Sequence, residues 1–198
     1  MIQDNNIFLH CADSRACSFW SHFISDKYGS RNGVALFFNG AHPFQDLQEE
    51  PTLFGHMDIL RNRYLVVSAK LGHLRIYFHV VYGPVQPGDR SAFYLALPRI
   101  FDDSTVHLVL QDFNTTMDPD LDQATPRLID FWRLENPDKL KFTGPKSKNR
   151  IDYCLASIDF YDKFICSSGH VLDTNLVART TFLLNFQPHP LILRLVIP

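Results

Sequence analysis

The sequence is poor in cysteine, and its cysteines form no pattern. Cys11, Cys17, Cys154 and Cys166 include no C-x-x-C pair, which excludes common zinc spacings and a small disulfide framework. Reduced thiols in an intracellular protein are the simplest account. The nine histidines are scattered, with no H-x-x-x-H pair on a credible helix. No apolar run reaches the roughly 20 residues of a membrane span, since Lys, Arg or His breaks the longest ones. Met-Ile-Gln-Asp-Asn-Asn at the start lacks the basic flank and apolar core of a secretion signal. Repeats and low-complexity tracts are missing too. Positive charge is not in excess: 19 Lys and Arg against 21 Asp and Glu give a net charge of -2, so no global field draws in nucleic acid.

What the chain does have is an ordinary globular composition, 45% hydrophobic and 20% charged over 198 residues. That length fits one domain, 1–198, better than two. Short β-branched and aromatic runs alternate with turn residues. Strands are expected at 7–9, 34–38, 63–69, 74–82, 106–110, 150–156, 180–184 and 191–197. Leu71-Gly-His73 makes a hairpin of the third and fourth of these. Helices are expected at 18–24, at 91–100 with Asp89 as its cap, and at 126–132 with Pro126 in its first turn. Turns or loops are expected at 28–33 and 43–52. Strands outnumber helices, so the fold class expected is α+β, with packed sheets inside.

The run Leu108-Val-Leu-Gln-Asp-Phe-Asn114 ends in a carboxylate and a carboxamide. Alternation along a strand sends Asp112 and Asn114 to one side and Phe113 to the other. That pair suits holding a phosphodiester with the help of a hard cation. Tyr82 and Asp152 also end apolar runs, as expected of a sheet that presents a site at one rim. Lys139, Lys141, Lys146, Lys148 and Arg150 make a basic stretch able to meet phosphates, although charge alone favours a solvated loop.

Taken in order, Ile7-Phe-Leu, Gly33-Val-Ala-Leu-Phe, Val81-Tyr-Gly-Pro84, Arg90-x-x-Phe93, Asp112-Phe-Asn114, Phe131-Trp-Arg133, Pro137, Phe142-Thr143, Arg150-Ile-Asp-Tyr153 and the run Pro190 to Leu195 resemble the endonuclease/exonuclease/phosphatase superfamily. Within it, they are most similar to the endonuclease domain of non-LTR (LINE-like) retrotransposons. The resemblance implies a four-layer, DNase I-like α/β-sandwich of two mostly antiparallel sheets flanked by helices. It implies Mg²⁺- or Mn²⁺-dependent cleavage of DNA, and a place of action in the nucleus. By position, Asp112 corresponds to the Asp that activates or orients the attacking water. Asn114 corresponds to the Asn that holds the scissile phosphate, Tyr82 to the Tyr that supports it, and Asp152 to the Asp that orients a catalytic His. Arg150 would help neutralise the strand being cut.

The departures are specific. The family's first strand, with its Asn, has no counterpart, so the domain is expected to be N-terminally truncated. Cys11 stands where the family has its metal-binding Glu, and a thiol is a poor ligand for Mg²⁺. Asp13 would share that strand face but sit about 6–7 Å further on, at about 3.3 Å per residue. Phe186-Gln187-Pro188 replaces the Ser-Asp-His motif. His189 is one residue out of place, so a strand turns it to the other face unless a bulge intervenes. Gln111 replaces the usual Gly before Asp112. The expectation is a degenerate endonuclease domain of retroelement origin with little or no activity. Two alternatives stay open: an active phosphodiesterase with a rearranged metal site, and a non-catalytic module that binds nucleic acid or protein.

Overall fold

A computed structural model describes residues 17–21, 24–26, 29–31, 33–38, 40, 42–50, 59–98, 105–114, 128–139, 150, 152–171, 180–186 and 190–196. Two sheets make up most of it. Strands β1 (Cys17–Trp20), β4 (Ala35–Phe38), β11 (Ile165–Val171), β12 (Thr180–Phe186) and β13 (Pro190–Val196) form a five-stranded antiparallel sheet in the order β1-β4-β13-β12-β11. Strands β5 (Gln45–Glu49), β6 (Tyr64–Leu71), β7 (Leu74–Tyr82), β8 (Val106–Asp112), β9 (Ile129–Asp130) and β10 (Asp152–Ala156) form a six-stranded one in the order β5-β6-β7-β8-β10-β9. The short pair β2 (Ile24–Asp26) and β3 (Gly29–Arg31) stands apart.

The six-stranded sheet follows from its sequence. β6 and β7 pair from Leu71↔Leu74 back to Tyr64↔Val81. Gly72 sits between them at φ +60°, a left-handed conformation that glycine adopts without steric cost. Helix α1 (Pro87–Ala96) then carries the chain across to β8, which runs parallel to β7. That is the compact way to bring two parallel strands together.

Alternation sorts the side chains onto two faces. Leu65, Val67, Ile76, Phe78, Val80, Leu108, Leu110, Cys154 and Ala156 meet Leu36 and Phe38 of the other sheet in one buried core. Phe38, Phe44 and Phe78 form an edge-to-face cluster there, with centroids 5.0–5.8 Å apart. On the opposite face Tyr64, Val66 and Val81 pack under Phe93 of α1. Each such buried aromatic or aliphatic side chain contributes about 1.5–3 kcal/mol. Phe131 of α2 (Phe131–Glu135) and Phe160 of α3 (Ile158–Phe164) close the inter-sheet core at its side. This is an α+β sandwich of mostly antiparallel sheets, as expected.

Several local expectations are corrected. The stretch 18–24 was expected as a helix, but Cys17–Trp20 is a strand on β4. Phe19 turns to the core and Trp20 packs edge-on to Phe37 on the outer face, so pairing outweighs local propensity. Expected as loop, 45–49 is an edge strand whose residues are exposed and polar apart from Leu47, which packs on the core, too little to show apolar alternation. It bulges between Gln45 and Gln48, where Asp46 takes φ +51° and its carboxylate, held below its usual range mainly by a hydrogen bond from Lys70, accepts at 2.7 Å. Gly29–Arg31, inside an expected turn, is a strand. α1 begins earlier than expected, with Gln86 rather than Asp89 at its cap and Pro87 in its first turn. α2 starts at Phe131, with the Asp130 carboxylate accepting from Arg133 N at 3.4 Å. No sequence signal had marked β11.

Candidate functional site

Three of the candidate residues stand in one row. β7 and β8 are parallel, with Tyr82 opposite Asp112. β10 runs antiparallel to β8 and begins with Asp152, opposite the same Asp112. Residues paired across neighbouring strands project to the same face, here the inter-sheet face. Tyr82 joins the core there, and both carboxyl side chains are 2% exposed. The sheet thus delivers a phenol and two carboxylates from separate parts of the chain to one rim, and packing fixes each of them.

Asn114 reaches the same place by another route. The strand alternation ends at Asp112, because Asn114 has φ +51°, which Asn tolerates better than most residues. Its backbone N–H donates to Asp112 Oδ1 at 2.8 Å, and its Nδ2 donates to Gly83 O at 2.8 Å. Asp112 and Asn114 therefore stay together through a turn closed by the Asp side chain, not through a shared strand face.

Gly83 is the residue around which this corner is built. Its N–H donates to Asp112 O at 2.7 Å. A Cβ at position 83 would lie 2.5 Å from Tyr94 Oη and 2.8 Å from the Phe113 carbonyl carbon. Tyr94, on α1, donates its hydroxyl to Phe113 O. Burial, opposed by Arg90 and reinforced by Asp112, pushes the Tyr94 phenol up to about 12. Arg63 lies 4.9 Å over the Tyr82 ring and donates to Gly83 O at 3.4 Å. Sequence reasoning assigned no role to Gly83, Tyr94 or Arg63. A glycine directly after a buried strand is the one signal that marked a close backbone approach.

Beside this row, Arg150 is only 9% exposed. Its guanidinium is ion-paired with the Asp130 carboxylate and lies 5.0 Å from the Trp132 ring and 4.5 Å from the Tyr153 ring. Burial lowers its pKa, against the opposing pull of Tyr153 and Asp152. Tyr153 Oη closes the cluster by donating to Arg150 O at 2.7 Å. The geometry spends Arg150 on holding α2 against β10, where the sequence suggested a partner for the DNA strand. Lys139 is exposed, and its Nζ donates to Asn136 Oδ1 at 2.8 Å. Gln111 points to the outer face opposite Tyr153 and is 1% exposed, with its Nε2 buried and unpaired. Cys11, Asp13, Lys141, Lys146, Lys148, Gln187, Pro188 and His189 lie outside the described residues.

Among the described residues, no group of three or more His, Cys, Asp or Glu side chains is placed to hold a metal ion. No described helix is long and apolar enough to cross a membrane. What the rim does offer is hard oxygen donors, the Asp112 and Asp152 carboxylates. Mg²⁺ commonly binds through one or two carboxylates plus water and substrate phosphate, so the donor set fits that ion in kind.

No family model matches the sequence, and no curated protein matches it. Solved structures do. The APE2 catalytic domain of Xenopus laevis superposes with a TM-score of 0.58 at 13% identity, over 95% of this chain and 79% of that one. An AP endonuclease from Archaeoglobus fulgidus gives 0.53 at 14%, over 92% and 79%. The endonuclease domain of TRAS1, a telomere-specific non-LTR retrotransposon, gives 0.52 at 15%, over 93% and 80%. The likeness is one of fold: the chain has the DNase I-like fold of the endonuclease/exonuclease/phosphatase superfamily. Two of those neighbours are endonucleases by name, one an AP endonuclease and one from a retrotransposon.

Proposed function

We propose that this chain is an endonuclease-fold domain of retroelement origin that retains half of a Mg²⁺-dependent phosphodiester site and has little or no nicking activity. The observation that carries the reading is the row Tyr82, Asp112 and Asp152 at adjacent strand ends, with Asn114 clamped beside Asp112. Two carboxylates, a phenol and a carboxamide at a sheet rim suit a phosphate and a hard cation better than they suit a neutral ligand. Asp112 and Asp152 would hold Mg²⁺ or Mn²⁺, which when bound supplies positive charge to a phosphodiester. Asp112 would orient a water, and Tyr82 and Asn114 would donate to phosphate oxygens. Low activity follows from Cys11, Gln187 and Pro188 at the positions where the resemblance expects Glu, Asp and His. Losing members of a catalytic unit costs far more than a proportional share of its rate. DNA is the proposed partner, through this rim and the lysines Lys139, Lys141, Lys146 and Lys148, and the nucleus is the proposed place of action.

Supercoiled plasmid with Mg²⁺ or Mn²⁺ tests this, alongside Asp112→Ala and EDTA controls and a circular dichroism check of folding. Nicking at the EDTA background by a folded protein is expected, rising when Cys11→Glu, Gln187→Asp and Pro188→His are combined. Robust metal-dependent nicking that disappears in Asp112→Ala would overturn the low-activity reading and establish a working enzyme.

A further inference from the structure

Asn114 is held in a conformation it does not prefer by groups that come from three separate parts of the chain. Its φ of +51° lies in the left-handed region, which is uncommon for a non-glycine residue although Asn enters it more readily than most. Two hydrogen bonds of its own define the position, from its N–H to Asp112 Oδ1 and from Nδ2 to Gly83 O. The peptide before it is pinned separately. Gly83 N–H ties down the Asp112 carbonyl, and the Tyr94 hydroxyl ties down the Phe113 carbonyl. Fixing both carbonyls fixes the plane from which Asn114 departs. Tyr94 is itself immobilised, edge-on to Phe113 at 5.4 Å and to the buried Phe93 at 5.5 Å.

We propose that Tyr94 is a positioning residue for Asn114, its hydroxyl holding the Phe113 carbonyl so that the Asn114 carboxamide meets Gly83 and is aimed at the rim beside Asp112. This deepens the phosphodiester reading and rests on it for its functional meaning. One N–H of Nδ2 is used on Gly83 O, which orients the second N–H and Oδ1 of the same planar group. α1, which otherwise only covers the sheet, thereby takes part in shaping the site. Burial pushes the Tyr94 hydroxyl up to about 12, so it keeps its proton and its donor role into alkaline solution.

The test is Tyr94→Phe, which removes the donor and keeps the ring. Nitrogen-15 NMR of the full chain reads the Asn114 carboxamide, assigned with Asn114→Asp, and the Gly83 amide. Hydrogen exchange at both is expected to speed up at least ten-fold, with the Asn114 carboxamide resonances moving toward exposed values while amides in the centre of β6 stay unchanged. Unchanged exchange and shifts at Asn114 would overturn the proposal, leaving Tyr94 as a partner for Phe113 O and nothing more. Should Tyr94→Phe fail to fold, it is repeated in an Asn114→Gly background, where glycine adopts a positive φ without a clamp. Recovery of folding there supports the proposal; a second failure overturns it, because the hydroxyl would then serve the fold at large. Neither readout uses cleavage. A wild-type protein that fails to engage DNA or metal would count against the phosphodiester reading while leaving the exchange result to decide the positioning role.

Discussion

Asp112 and Asp152 stand directly opposite one another on adjacent antiparallel strands, each 2% exposed. Like charges in that relationship work against the sheet that holds them. A fold selected for stability alone would place an apolar or hydrogen-bonded pair there, which is what makes the two carboxylates the centre of the proposed site. Asp112→Asn is expected to stabilise the metal-free protein by about 0.2–1 kcal/mol, the usual scale for an opposed like-charge pair. Added Mg²⁺ or Mn²⁺ should raise the melting temperature of the wild type and leave that of Asp112→Asn unmoved. The carboxamide that replaces the carboxylate still offers an oxygen to the Asn114 N–H. A variant that melts lower than wild type in EDTA would therefore show that the Asp112 charge strengthens its hydrogen bonds by more than the repulsion costs.

Asp130 and Arg150 form a pair with little solvent access, their side chains 14% and 8% exposed. Removing one partner of such a pair leaves the other buried and uncompensated, at about 3–5 kcal/mol. Asp130 also caps α2, so Asp130→Ala should fall at the upper end and change the fluorescence of Trp132, which stacks on Arg150. Arg150→Lys should recover little of the loss, because an ammonium cannot stack as a guanidinium does between Trp132 and Tyr153. Urea denaturation measures both; a loss below about 1 kcal/mol in either would place the pair effectively in solvent.

A buried chain of hydrogen bonds links β6, β7 and β8: Tyr64 Oη with His79 Nδ1 at 2.7 Å, His79 Nε2 with His107 Nδ1 at 2.8 Å, and His107 Nε2 with Thr105 Oγ1 at 2.8 Å. Burial, aided by the neighbouring His107, lowers the His79 pKa to about 3. A histidine kept neutral in the folded state binds its proton first in the unfolded one. Its stability contribution is complete above the unfolded pKa of about 6.5 and is lost as pH falls toward about 3. Across that window this one group should cost about 1.4 kcal/mol per pH unit. Equilibrium unfolding at a series of pH values should show the slope, and His79→Gln should flatten it. An equally steep slope in His79→Gln would move the effect to other groups.

Gln111 buries a carboxamide nitrogen with no hydrogen-bond partner. An unsatisfied donor costs about 1–3 kcal/mol, while methionine matches the shape of glutamine and carries no donor. Gln111→Met is expected to raise stability by about 1 kcal/mol, seen as a higher urea midpoint at unchanged slope. A lower midpoint would mean that the carboxamide contributes bonds through its oxygen that outweigh the stranded nitrogen.

Much of the site was legible in the chain itself. β-branched and aromatic alternation marked β6, β7, β8 and β10, and the last three end in, or begin with, the polar residue that reaches the rim. Polar or short elements were illegible. β5 is an edge strand in which Leu47 alone packs on the core and its neighbours face water, so its sequence shows no apolar alternation. β1 is a strand because β4 is there to pair with it. Arg150 carried no mark of its partner, since Asp130 lies 20 residues away and only the β9–β10 pairing brings the two together.

The amino-acid sequence by itself determined which segments are strands deep enough to be buried on both faces, because burial demands apolar residues at every second position or at all of them. It also determined the chemistry on offer, two carboxylates, a phenol and a carboxamide, because residue types are local facts. Only the tertiary structure decided the register that sets Asp152 and Tyr82 on either side of Asp112. It alone put Asn114 in a left-handed turn rather than on a strand face, because that turn depends on Gly83 and Tyr94, 31 and 20 positions earlier in the chain. Register and clamping are collective outcomes of packing, and no window of sequence contains them.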